Sequence, residues 1–160
     1  MTLGCRPLAH VQSMIWATDR IGLETLLFPS ATLVEKFKSE LPPHDSSHPV
    51  PPWESPGINF CPHEYWKAVA AEVYATPLLR SAGYNIDVMM TAYHSIPNYE
   101  VACRQWMDGD MLSKGHYYGM DLHPFDAIFA KTNRGNDPIT LEKMTTWTDE
   151  RRYSSYDYCH

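Results

Sequence analysis

Glu72 lies between Ala71 and Val73 in an apolar-rich segment with helical periodicity. An unpaired carboxylate is costly to bury, and burial raises its pKa because a low dielectric disfavours the charged form. A carboxylate with a raised pKa suits a general base that takes the proton from an attacking hydroxyl group. Glu72 is therefore the candidate for catalysis. The alternative is that it faces solvent on an amphipathic helix.

His10 and Gln12 stand two residues apart in a segment that favours a strand. Both side chains then point to one face of the strand, while Val11 points to the other. Such a pair could face a shared cleft and form hydrogen bonds there. An isolated histidine on a strand also has a simpler interpretation, in which neighbouring groups satisfy it in a structural role.

Further candidate residues in the last third of the chain are Lys131, Arg134 and His123. Lys131 and Arg134, if held in place, could offset the charge of a phosphate or of a diphosphate leaving group. They could equally be ordinary solvent-facing charges at the end of a strand. His123 precedes Pro124, which favours an extended turn that can aim an imidazole into a cleft. The sequence identifies no second metal ligand beside it, so a structural or surface role is the alternative.

The triplet Asp108-Gly109-Asp110 has the spacing of a DxD motif, whose carboxylate oxygens can hold Mg²⁺ or Mn²⁺. Acidic-glycine-acidic triplets are also common in turns, and we interpret this one as a turn. The eight histidines include no HExxH motif, so a metal-dependent hydrolase has weaker support.

The segments that must position these residues alternate between strands and helices, which is typical of the α/β class. A stop and restart signal at Pro29 and Ser30 separates two of the helices, and Pro77 should kink or divide a third. Asp137 followed by Pro138 predicts the start of the last helix. The patterns predict strands over residues 10–18, 84–93 and 127–131, and helices over residues 21–28, 31–40, 62–82 and 139–147.

A proline-rich loop interrupts the chain at about residues 41–58, with six prolines between Pro42 and Pro56. This composition cannot continue a helix or a central strand. Loops of this length are either functional lids or insertions. We expect an insertion that adds little to the core of a single domain spanning residues 1–160.

The composition excludes several classes of protein. A hydrophobic content of 44% with 20% charged residues predicts a folded globular chain. The formal charge of −6 and the scattered basic residues argue against nucleic acid as a partner. No stretch approaches the roughly 20 apolar residues that span a bilayer, and residues 1–10 lack the apolar region of a secretory signal. The four cysteines form no CxxC pair and could be disulfides or thiols.

Three blocks of sequence resemble the carboxy-terminal region of polysaccharide glycosyltransferases of the rhamnan-synthesis type, which occur in fungi, plants and algae. The blocks are HVQSMIWATDRIGLETLL, WKAVAAEVYATPLLRSAGYNIDVMM and YYGMDLHPFDAIFAKTNRG. They cover about residues 8–135, apart from the proline-rich loop. In that family they follow a nucleotide-sugar-binding half that ends in a segment resembling LNSSVRGPF, which does not occur in these 160 residues.

The resemblance implies a partial glycosyltransferase-A-like sandwich of the α/β class, with the acceptor-side half only. The implied protein is a nucleotide-sugar-dependent transferase that acts on a carbohydrate acceptor and needs an amino-terminal donor-binding half. Its donor would bind with Mn²⁺ or Mg²⁺, and a full-length relative could be a Golgi or secretory protein. The alternative is a non-catalytic carbohydrate-binding or protein-interaction module.

The resemblance also implies roles for individual residues. Glu72 matches a glutamate that precedes a short turn motif in the family and would be the catalytic base. His10 and Gln12 lie in the HVQS block and would bind the acceptor or the donor sugar. His123 matches a late histidine that completes a metal shell. The charges of Lys131 and Arg134, and not the resemblance, assign these two residues to substrate binding, and we expect Lys131 near the donor phosphates together with His123. Such a site requires His10, Gln12, Glu72 and His123 to converge on one cleft.

Overall fold

A computed structural model describes residues 3–44, 46–54, 57–98, 102–103, 110–127 and 131–151. These residues form four α-helices, one two-stranded antiparallel sheet and two single turns of 3-10 helix. The strands are β1 (Leu3–Gly4) and β2 (His10–Val11), the helices are α1 (Arg20–Leu27), α2 (Ala31–Glu40), α3 (Tyr65–Ser81) and α4 (Pro138–Glu150), and the 3-10 turns are Thr91–Tyr93 and Pro124–Asp126. None of the described helices has the length and apolar character needed to cross a membrane.

Side-chain caps fix where three of the helices begin. Asp19 accepts a hydrogen bond from the Gly22 backbone N–H at 2.8 Å, and Ser30 accepts one from Leu33 at 3.2 Å. Asp137 accepts two such bonds at the start of α4. Each cap satisfies backbone donors that have no partner inside the helix. All four predicted helices are confirmed, with ends that differ from the predicted bounds by a few residues.

Helix α3 continues through Pro77, so Pro77 does not divide this helix, and a kink at Pro77 stays a prediction. Proline removes one N–H donor and usually breaks a helix interior. Here Val73 and Leu78, on either side of it, are almost fully buried and hold both turns against the core. The helix ends at Ala82, and Gly83 follows with a positive φ of 90°. Gly83 thus provides the helix end that the sequence predicts.

The predicted strands are mostly absent from the described residues. The segment at 10–18 is extended only at His10 and Val11, which pair with Gly4 and Leu3 of β1. The segment at 84–93 contains one bridge, between Met90 and Ala127, and then a 3-10 turn. Residues 128–130 of the third predicted strand lie outside the described part. A segment with high strand propensity forms a sheet only where another strand pairs with its backbone. For the segment at 10–18, β1 provides two pairing residues, Leu3 and Gly4.

Three clusters of buried side chains form the core. The first cluster lies between the helices, around Phe37 and Leu78. The second cluster packs Val50 against α3. The largest cluster lies among β1 and the irregular segments after α3, and it contains the disulfide between Cys5 and Cys103. The bond links residues 98 positions apart, so it restricts the unfolded chain strongly. Cys61 is an exposed free thiol, and Cys159 lies outside the described residues.

The proline-rich loop has no helix or strand in its described residues, as predicted. The expectation that it adds little to the core is wrong. Val50 is only 2% exposed, and the Trp53 ring meets the Phe37 ring edge-on at 5.3 Å. Gly57 has a φ of 75° and approaches the Leu26 carbonyl so closely that a Cβ would overlap it. The loop is therefore an ordered cover over α2 and α3.

We expect Val50→Ala to lower the free energy of unfolding by about 2 kcal/mol, because it removes buried methyl groups and leaves a cavity. For a domain of this size the melting temperature should fall by about 5 °C. Thermal unfolding followed by circular dichroism measures both. Pro52→Ala, at an exposed position in the same loop, is the matched control. Equal effects of the two substitutions would contradict a core role for the loop.

Candidate functional site

The Glu72 carboxylate joins α3 to the segment that follows β2. Its Oε2 atom accepts the Ser13 backbone N–H at 2.8 Å and also the Ser13 hydroxyl group. The side chain is half-buried, with 24% of its surface exposed. One turn further along α3, Thr76 Oγ1 accepts the Val11 backbone N–H at 3.0 Å. The helix thus fixes the chain at two successive points.

His10 completes this arrangement from β2. Its side chain is almost fully buried, and both ring nitrogens face acceptor oxygens. Nδ1 lies 2.7 Å from the Leu8 carbonyl oxygen, and Nε2 lies 3.7 Å from Glu72 Oε1. The imidazole ring thus lies between a backbone carbonyl and the Glu72 carboxylate. Gly4 stands opposite on β1, where any Cβ would overlap the imidazole ring.

The surroundings of Glu72 set the pKa of its carboxyl group. Burial alone raises this pKa, but the hydrogen bonds from His10 and Ser13 and the charge of His10 outweigh that effect. The net result lowers the pKa from its ordinary value of 4.5 to about 2. The raised pKa expected from the sequence is therefore wrong. A carboxylate of this kind is a weak base at neutral pH.

Gln12 lies apart from Glu72, in a second polar contact. Its Nε2 donates to Asp110 Oδ1 at 2.9 Å, and the same oxygen accepts the Leu112 backbone N–H at 3.1 Å. The Arg134 guanidinium lies 3.7 Å from the other Asp110 oxygen. Asp110 bonds a backbone two residues ahead, as turn-forming aspartates do. Asp108 and Gly109, the rest of the DxD-like triplet, lie outside the described residues.

Gln12 is 5% exposed, and its carbonyl oxygen has no hydrogen-bond partner among the described residues. The sequence pattern paired Gln12 with His10 on one face, whereas the structure gives each a different carboxylate. The link to Asp110 spans 98 positions and has no local sequence signal. Gly4, which makes room for the His10 ring, was also missed. A glycine in a short apolar segment is the only hint that the sequence offers for such a close approach.

His123 and Lys131 line a separate cavity of about 250 Å³ beside α4. His123 Nδ1 accepts the Phe125 backbone N–H at 3.3 Å and caps a 3-10 turn. Asp121, on the same cavity, accepts two backbone N–H groups. Among the described residues, no three His, Cys, Asp or Glu side chains form a group that could hold a metal ion. The structure therefore does not bring His123 together with His10 and Glu72.

The cavity beside Glu72 is larger, about 450 Å³ in volume. It lies between α3, the segment at residues 11–18 and the segments at residues 58–62 and 85–87. Leu26 and Thr76 are buried at its floor, where 1% and 3% of their surfaces are exposed. Half-buried Trp16, Ile58, Phe60 and Leu79 form its walls, and exposed Ser13, Asn85 and Asp87 form its rim.

The charges around this cavity have one sign. Its described lining contains the carboxylates of Glu72 and Asp87 and no lysine, arginine or histidine. His10 offsets the charge of Glu72 from behind, while Asp87 stands exposed at the rim. Such a lining repels anions and suits a neutral or cationic ligand.

We expect Glu72→Gln to lower the free energy of unfolding by about 2 kcal/mol at pH 7, because it removes the charge that His10 and Ser13 bond. A lowered pKa contributes stability that is present above pH 4.5 and is lost as the pH falls toward 2. Most of the difference between wild type and variant should therefore be lost at pH 2.5, and the rest below pH 2. Urea unfolding at pH 7 and at pH 2.5 measures it.

Glu24→Gln is the control for this experiment, because Glu24 forms an exposed pair with Arg20 one helical turn away. Such pairs contribute little, so its effect should stay below about 0.5 kcal/mol at both pH values. A pH-independent loss in Glu72→Gln would contradict the ionised tie between α3 and β2.

Comparisons with protein-family models, with curated proteins and with solved structures find no match to this chain. The resemblance to rhamnan-synthesis-type glycosyltransferases therefore rests on its three sequence blocks.

Proposed function

We propose that this chain is the acceptor-side, carbohydrate-binding half of a glycosyltransferase-like protein, and that the acceptor binds in the cavity beside α3. The cavity carries this proposal, since its volume falls within the range of about 300–1,000 Å³ typical of small-molecule sites. Aromatic walls at Trp16 and Phe60 suit the apolar face of a sugar ring. Asn85 and Asp87 at the rim suit its hydroxyl groups.

In this proposal Glu72, His10 and Ser13 are positioning residues. They hold the segment that carries Trp16 against α3 and so keep one wall of the cavity in place. Gln12 and Arg134 meet at Asp110 and tie β2 to the later part of the chain. A binding module needs such fixed walls, because a ligand loses affinity when it must order its own site.

The donor side of the proposal concerns His123 and Lys131. Lys131 would lie near the donor phosphates once a donor-binding half is present. The described residues around His123 do not fit a resident metal, because they include no group of three His, Cys, Asp or Glu side chains that could hold one. Mn²⁺ or Mg²⁺ would therefore enter as part of the nucleotide-sugar complex.

A catalytic role for Glu72 is the second candidate, and one contact favours it. The Ser13 hydroxyl group donates to Glu72 Oε2 on the exposed side of the carboxylate. In a completed transferase an acceptor hydroxyl would replace it and give its proton to Glu72. Its oxygen would form the new bond to the sugar carbon as the bond from that carbon to the donor diphosphate breaks and the nucleoside diphosphate leaves. With the donor half added, Ser13→Ala should then keep turnover, while Glu72→Gln should abolish it. If the completed protein binds the acceptor but transfers no sugar to it, the catalytic role of Glu72 is contradicted and the binding module is supported.

We expect the isolated chain to bind neutral glycosides. Trp16→Ala should weaken that binding at least tenfold, because the packing of the indole ring against the sugar ring is lost. Glycan-array screening followed by calorimetry measures this. Trp66→Ala is the matched control, since Trp66 is exposed on α3 and does not line the cavity. Failure of every glycan to bind at millimolar concentration, or equal losses in both variants, would contradict the proposed site.

We also expect nucleotide sugars to bind this chain weakly or not at all. The net charge of −6 and the two cavity carboxylates repel a diphosphate. Calorimetry with UDP- and GDP-sugars, with and without Mn²⁺, tests the expectation. Micromolar, metal-dependent binding would overturn it, and Asp110 would then be the first described residue to substitute.

A further inference from the structure

The cavity beside α3 differs in chemistry between its depth and its rim. Its deep part is apolar, formed by buried Leu26 with half-buried Ile58, Phe60 and Leu79. Thr76 is the buried polar group there, and its hydroxyl oxygen already accepts the Val11 backbone N–H. Apart from this hydroxyl group, the side chains at this depth are apolar, so most polar groups of a ligand would lose their water here without a hydrogen-bond partner.

The face that α3 turns toward the cavity explains why space remains at this depth. Ala68, Ala71 and Ala75 recur at helical spacing and all line the cavity. Their short side chains leave the helix backbone uncovered, so the volume lies directly against α3. Apolar volume of this kind fits hydrocarbon or an aromatic ring.

The rim offers the opposite chemistry. Ser13, Asn85 and Asp87 are exposed there and provide hydroxyl, amide and carboxylate groups. Asp87 Oδ1 accepts the Val88 backbone N–H at 2.8 Å, while Asn85 has its amide available at the surface. These groups match the hydroxyl groups of a sugar. With two carboxylates and no cation among the described lining residues, an anionic head group is disfavoured.

We propose that the acceptor of this site is a neutral glycoside with an apolar aglycone, whose apolar part fills the deep end of the cavity and whose sugar lies at the rim. This inference rests on the proposed carbohydrate-binding function and specifies the class of acceptor.

The test is calorimetry on the full chain with matched probes. Octyl glycosides of glucose, galactose, mannose and rhamnose, used below their micelle concentrations, carry both parts. The methyl glycosides of the same sugars carry the head alone, and 1-octanol carries the tail alone. Burial of only two methylene groups changes affinity about tenfold. At least one octyl glycoside should therefore bind ten or more times tighter than its methyl counterpart and than 1-octanol.

Each other outcome has a distinct meaning. If a methyl glycoside binds as tightly as its octyl form, the aglycone inference is overturned while carbohydrate binding stands. If 1-octanol binds as tightly as the best octyl glycoside, the sugar contributes nothing and the carbohydrate-binding function fails with it. Absence of binding by all probes overturns both.

Two variants locate the parts of the ligand. Ala75→Leu places a larger side chain in the deep end and should weaken an octyl glycoside at least tenfold, while Ala31→Leu, exposed at the start of α2, should not. Asn85→Ala at the rim should weaken the octyl glycoside and leave 1-octanol unchanged. Circular dichroism confirms folding of each variant. If Ala75→Leu fails to fold, the rim variant still decides: an equal loss for glycoside and alcohol overturns the proposed orientation.

Discussion

The Glu72 carboxylate is the interaction on which the site depends. It is the point where α3 holds the chain that leaves β2, through the two bonds from Ser13 and the ion pair with His10. The segment that follows Ser13 carries Trp16 and Thr18 to the cavity and then enters α1 at the Asp19 cap. Without this tie, this wall of the cavity would lose one of the two points at which α3 fixes it, and the bond from Val11 to Thr76 would remain.

The same interaction explains why Glu72 is better suited to holding than to abstracting a proton. Each bond that fixes the carboxylate also stabilises its charged form, and that lowers its basicity. A partly buried ion pair adds little net stability, because desolvation offsets much of the attraction. Its contribution is positional: His10 reaches Nε2 toward the carboxylate only because Gly4 leaves room for the ring. A reactive base would need fewer partners and a less polar environment.

How far the sequence predicts this structure depends on how local each signal is. The caps at Asp19, Ser30 and Asp137 act within three residues, so the helices were predicted closely. Strands need distant partners, and within the described part of the chain the segment at 84–93 has a single bridge. The contact between Glu72 and His10 and the contact between Gln12 and Asp110 join positions far apart, so neither they nor the resulting pKa had a local signal. Proline content correctly predicted an irregular loop but not that Val50 and Trp53 are core residues.

The two cavities also bear on how a transfer reaction could use this chain. The cavity beside α3 has two carboxylates and no cation in its described lining, whereas the cavity beside α4 contains Lys131 and His123. The two linings share no described residue. An acceptor held at the first and a donor diphosphate held at the second would therefore not meet through these side chains alone. Near-attack geometry requires reacting atoms to be held about 3–3.5 Å apart. In the proposed transferase, a donor-binding polypeptide must bring the sugar carbon to the rim at Ser13 and Asp87, and this chain contributes the surface that receives it.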